Sequence, residues 1–121
     1  MNPIVKKAWL KALRSGKYKQ GTGVLCNDKN KFCCLGVLYD VAVDGYWRLV
    51  KNRYGSSEWG ICIHPEKEPT GRETNVNTGL LPKKVAESLG LSQHIQERLA
   101  DMNDDEEMSF SEISDWIEQN L

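Results

Sequence analysis

Two cysteines stand side by side at positions 33 and 34, at the head of the most apolar run of the 121-residue chain, Phe32 to Val43. A helix N-terminus lowers a thiol's pKa and favours the nucleophilic thiolate. A helix opening at this pair would therefore prime Cys33 or Cys34 for hydrolysis, with His64 or His94 as the base. The competing reading is packing, because free cysteine behaves as a small and commonly buried hydrophobe. Packing is the favoured reading of the two. No local signature of a cysteine hydrolase surrounds the pair, and there is no serine elbow, histidine-rich metal motif or Walker loop. Cys26 and Cys62 complete the set of four. Nothing has Cys-x-x-Cys spacing, so neither a metal site nor a cofactor is expected. The residues lean toward a binder rather than an enzyme.

Binding chemistry concentrates further along. Gly45 to His64 carries two tryptophans and two tyrosines among Arg48, Lys51 and Arg53. Rings interleaved with cations suit the stacking of bases and the neutralising of phosphates, although the same residues also make ordinary strand pairs. Pro65 to Gly79 lacks periodicity, and its Arg72, Thr74, Asn75 and Asn77 are donors fitted to phosphate and ribose. A long irregular loop in a compact domain tends to be functional or disordered, and loops are polar in either case. The candidate ligand-binding residues are thus Trp47, Tyr54 and Trp59 for a base, Arg48, Arg53 and Arg72 for phosphate, and Thr74, Asn75 and Asn77 for ribose. Gly21-Thr22-Gly23 alone is too short a pattern for a phosphate loop.

The elements that must position these groups are legible from spacing and caps. Asn2 and Pro3 predict a helix start, and Ile4, Val5, Ala8, Trp9, Ala12 and Leu13 form its apolar stripe up to Ser15-Gly16. Short extended segments around Tyr18, Val24 and Cys26 lead through a turn at Asn27 to Lys31 into the central run. That run reads as a buried helix, with a buried strand as the alternative. Gly45 to Val50 and Trp59 to His64 predict paired strands. Pro82 to Gly90, a helix capped by Ser92, and a Ser109–Glu112 capping box before Ile113, Trp116 and Ile117 make the C-terminal part helical. The expectation is an α+β fold, one small domain over residues 1–121. It has an N-terminal helix, a buried central helix after the cysteine pair, a short antiparallel sheet and C-terminal helices.

The net charge of −1 conceals a polarity. Residues 1–53 hold eleven Lys or Arg against three acids, and residues 54–121 hold five against fourteen. The basic half can bind a phosphate-bearing ligand, the acidic half can repel or mimic nucleic acid, or the two can attract each other within or between subunits. No run is long enough to cross a membrane and the N-terminus lacks a signal-peptide core, so the expected location is cytoplasmic.

Several segments resemble a family of small bacteriophage and prophage proteins. They are Trp9 with Ala12-Leu13-Arg14-Ser15-Gly16-Lys17-Tyr18-Lys19-Gln20, Phe32-Cys33-Cys34-Leu35-Gly36-Val37-Leu38, Leu80-Leu81-Pro82, Leu99-Ala100-Asp101-Met102-Asn103-Asp104, and Ser109-Phe110-Ser111-Glu112-Ile113. Gly45 to Gly79 has no counterpart in the resemblance. It implies an accessory factor acting in the host cytoplasm. By analogy with phage sponges, this would be a homo-oligomer sequestering a cyclic nucleotide signal of anti-phage defence without turnover. Nucleic acid is not the expected partner. Two alternatives stay open. One is an interaction protein that inhibits a host protein through the acidic helices from Asp101 to Glu118. The other is a cysteine-dependent hydrolase of a nucleotide signal.

Overall fold

A computed structural model describes residues 1–27, 29–43 and 79–121 in full, and the backbone alone of 46–51, 57–62 and 76–77. Its elements run α1 (Pro3–Arg14), β1 (Lys19–Gln20), β2 (Cys26–Asn27), β3 (Lys31–Phe32), α2 (Cys34–Ala42), β4 (Tyr46–Lys51), β5 (Ser57–Cys62), β6 (Val76–Asn77), α3 (Lys83–Leu89), α4 (Gln93–Asp104) and α5 (Phe110–Asn120). The α+β reading holds.

Local chemistry sets the helix ends. The Asn2 side chain accepts from the N–H groups of Ile4 and Val5, leaving Pro3, which has no N–H to satisfy, at the first helical position. Gly16, at φ +77°, takes the left-handed conformation that ends α1. Ser92 caps α4 through the N–H of Ile95, and Ser109 with Glu112 forms the reciprocal capping box of α5.

Five helices build the core: α1 packs on α2 and α5, α2 on α4, and α4 on α5, while α3 adds Val85, Ala86 and Leu89. Trp9, Leu25, Cys34, Leu35, Val37, Leu38, Leu99, Met102, Ile113 and Ile117 are fully buried there. In α2 every residue from Cys34 to Tyr39 is buried, so this helix is the hub the others cover. The stripe of α1 is narrower than its sequence predicts. Trp9 and Leu13 are buried, whereas Ile4 is 80% exposed and Ala8 faces solvent. Successive helical positions turn by about 100°, which carries the Ile4–Ala8 row off the seam held by Trp9 and Leu13.

The sheet runs β1-β3-β2-β5-β4, with β6 also on β5. β4 and β5 pair antiparallel from Tyr46↔Cys62 to Lys51↔Ser57, so the expected strand pair is present with a shorter connection. One pairing departs from the antiparallel expectation: β1 lies parallel to β3, Lys19 beside Lys31. The chain steps from β1 to β2 and then fills the lane between them with β3. Phe32 therefore belongs to β3, and Cys33 is the N-cap of α2. The Asn27 side-chain oxygen accepts from the N–H groups of Lys29 and Lys31, folding the predicted turn.

Opposite charges meet across the α1–α5 seam. Arg14 donates to Asp115 and Glu118 at 2.9 Å each, and to the Ser114 hydroxyl at 2.9 Å. Lys6 reaches the carbonyl of Glu118 at 3.1 Å. Part of the charge polarity of the sequence is thus spent inside one chain.

Candidate functional site

The cysteine pair sits where the sequence placed it, at the start of a helix, and the chemistry there is decided by burial. Cys33 is 4% exposed and Cys34 is fully buried. Backbone N–H groups of Leu35 and Gly36 at the helix start act to lower the Cys33 thiol, but desolvation outweighs them and pushes it up to about 12. The same loss of water drives Cys34 well above its ordinary value. Cys34 Sγ is occupied as a donor to the carbonyl of Leu99 at 3.7 Å. His94 is exposed near the start of α4 and bonds to neither thiol; His64 lies outside the described residues. A protonated, water-free thiol is no nucleophile. The pair packs.

The rest of the cysteine motif packs as well. The Cys33 N–H donates to the carbonyl of Leu25 at 3.1 Å. A Cβ built on Gly36 would stand 1.9 Å from that same oxygen, so α2 and the Leu25 backbone approach as only glycine permits. Trp9 Nε1 donates to the carbonyl of Cys34 at 2.9 Å, making it a core anchor rather than a stacking ring. Asn103 joins three segments. Its oxygen accepts from Gln20 Nε2 at 3.0 Å and from the Cys34 N–H at 3.3 Å, while its amide nitrogen donates to Gly21 O and Asp104 Oδ1, each at 2.8 Å. Gln20 Nε2 also donates to the carbonyl of Met108 at 2.7 Å. With Asn103 1% exposed and its amide fully partnered, this is a buried polar lock.

A concavity lies elsewhere, between α3 and α4. A pocket of about 470 Å³ has Leu81, Ala86, Leu91 and Gln96 as its buried floor. Lys83, Glu87, Ser92 and Gln93 form an exposed rim, with Leu80 half-buried beside them. That volume falls within the range of about 300–1,000 Å³ usual for small-molecule sites. Gln96 is 4% exposed, and its Oε1 accepts the Leu81 N–H at 2.9 Å. Among the described residues no cluster of His, Cys, Asp or Glu could hold a metal ion.

Of the nine residues proposed from sequence, Trp47 and Arg48 fall in β4, Trp59 in β5 and Asn77 in β6. Trp59 is paired with Leu49 on one side and Cys26 on the other, Trp47 and Asn77 both pair with Ile61, and Arg48 pairs with Gly60. Their side chains lie outside the described residues, as do Arg53, Tyr54, Arg72, Thr74 and Asn75 altogether. Along the chain, the segment from Pro65 to Gly79 precedes Leu80 of the pocket; its described part includes the strand β6 rather than loop alone.

Sequence reasoning passed over Gln96 and Asn103, although a signal existed. Both fall on the buried line of α4, three residues before and four after Leu99. A polar residue inside an apolar stripe marks a side chain that must find its hydrogen bonds in the interior.

No curated protein and no solved structure matches the chain. One family model spans residues 1–121. Over its whole length, the chain belongs to the family described as a domain of unknown function, DUF8296.

Proposed function

We propose that the protein is a phage-encoded accessory factor that binds and sequesters a cyclic nucleotide signal of anti-phage defence, without turning it over, as a homo-oligomer in the host cytoplasm. The observation that carries this reading is the pocket between α3 and α4. It offers a buried amide, an apolar floor and a rim lysine, and it stands next in sequence to the donor-rich segment carrying Arg72, Thr74, Asn75 and Asn77. Such a site holds a ligand without attacking it, and the burial of Cys33 and Cys34 removes support from the hydrolase alternative.

The alternative of docking through the acidic C-terminal helices keeps a narrower surface. Asp115 and Glu118 pair with Arg14, Glu106 with Arg98, and Glu112 closes its capping box, while Asp101, Asp105 and Glu107 stand exposed. Native mass spectrometry with a panel of cyclic mono-, di- and trinucleotides and cyclic ADP-ribose isomers tests the proposal. An oligomer retaining an intact nucleotide is the expected result. Fragmented ligand, or no retention across the panel, overturns it.

A further inference from the structure

The carboxamide of Gln96 is half used. Its oxygen accepts the Leu81 N–H at 2.9 Å, which fixes the oxygen arm and directs the –NH₂ elsewhere. That –NH₂ has no hydrogen-bond partner among the described residues, although the side chain is 4% exposed. A buried amide nitrogen left without a partner is exceptional in a folded protein. The oxygen keeps a second lone pair, so two donors and one acceptor remain on offer in a pocket otherwise floored by Leu81, Ala86 and Leu91.

We infer that Gln96 reads the edge of a heterocyclic base, with the –NH₂ donating to a ring acceptor and Oε1 accepting from the neighbouring N–H. The adenine edge, N7 beside the N6 amino group, matches a glutamine carboxamide in this way. The ligand class rests on the sequestration reading; the choice of the base as the deep group rests on the pocket itself. Leu81, Ala86 and Leu91 present apolar surface to a ring, whereas a phosphate on that floor would lose its water and gain no cation. The rim supplies the complementary half. Lys83 is exposed there with no ion pair among the described residues, and the neighbouring Glu87 carboxylate disfavours seating an anion deeper. The base goes in first and the phosphate stays at the mouth, on Lys83.

The test is a ¹⁵N–¹H titration of the full chain with adenosine 5′-monophosphate, using ribose 5-phosphate as the baseless control. The expected result is a saturable shift of the Gln96 side-chain –NH₂ pair by the nucleotide and none by the control. Gln96→Glu keeps an acceptor for the Leu81 N–H and deletes the donor, so affinity should fall at least tenfold. An unmoved Gln96 signal, an equal response to ribose 5-phosphate, or undiminished affinity in a folded Gln96→Glu protein overturns the inference. Should that variant not fold, the titration of the unaltered chain decides alone. Retention of a cyclic nucleotide with the Gln96 signal unmoved sinks this inference and leaves sequestration standing. Adenosine monophosphate seated on Gln96 with no cyclic nucleotide retained supports this inference and sinks sequestration.

Discussion

Gly36 and Leu25 are in backbone contact, so close that a β-carbon on Gly36 would lie 1.9 Å from the Leu25 carbonyl oxygen. Neither partner can yield cheaply. The oxygen already accepts from Cys33, and Leu25 is fully buried. Gly36→Ala should cost more than the about 1–3 kcal/mol usual for overpacking, and leave little folded protein. Gly16→Ala meets nothing within 4 Å and bears only the penalty of φ +77°, about 1–2 kcal/mol. Urea denaturation of both variants checks the contrast. Equal midpoints would mean that the Gly36 contact relaxes.

Asn103 predicts a different pattern of loss. Asn103→Ala strands the Cys34 N–H and the Gly21 carbonyl, for about 2–6 kcal/mol in total at about 1–3 kcal/mol per stranded buried group. Asn103→Asp should be worse, because it sets a carboxylate oxygen against Gly21 O and Asp104 Oδ1. Gln20→Ala should cost less than either, and the Gln20–Asn103 double variant should fall short of additivity. A thermodynamic cycle by chemical denaturation measures that coupling.

The thiols make a labelling prediction. In native protein at pH 8, iodoacetamide should leave Cys33 and Cys34 unmodified, since both are buried and held protonated. In urea both should react fully. Peptide mapping by mass spectrometry reads the two sites separately, and rapid native labelling of either would restore the nucleophile reading.

Alkaline pH should destabilise the fold. Burial raises Cys26 to about 11 and Cys33 to about 12 from an unfolded value of 9.0. Tyr18 is raised to about 12 from 10.0, first by burial and then by its bond to Asp40. These groups are neutral when protonated, and the folded state holds the proton more tightly. Their contribution is therefore complete below pH 9 and is lost as pH rises toward 12. In the steep part, each buried thiol contributes a slope of about 1.4 kcal/mol per pH unit. Melting temperatures should be flat from pH 7 to 8.5 and fall above 9. A rise in that range would contradict the burial assigned to the thiols.

What the sequence showed and what it hid divide along the range of the interactions. Asn2, Ser92, Ser109 with Glu112, and the apolar spacing of Trp9 and Leu13 act within a turn or two of helix, so the helices were legible from neighbours alone. The parallel lane of β1 beside β3 was not, because Lys19 and Gln20 carry no periodicity over two residues. Nor were the roles of Gln20, Gln96 and Asn103, whose partners are set by tertiary placement: Gln20 reaches Asn103 across 83 positions. The ring-and-cation pattern at Trp47, Arg48 and Trp59 was legible as composition, and register assigns it to strands, but composition does not tell a ligand from a core. The cysteine pair was legible in both readings, and burial chose between them.

The seam between α1 and α5 bears on how the polypeptide is made. α1, made before α5, buries Trp9 and Leu13 in the same core as Ile113 and Ile117, and Lys6 finds its carbonyl 112 positions later. Contacts of such separation raise contact order and delay commitment to the native state. A nascent chain must carry the greasy side of α1 uncovered until α5 has been synthesised. Chaperone demand should therefore last until α5 has emerged, and fragments truncated before α5 should aggregate rather than fold in part.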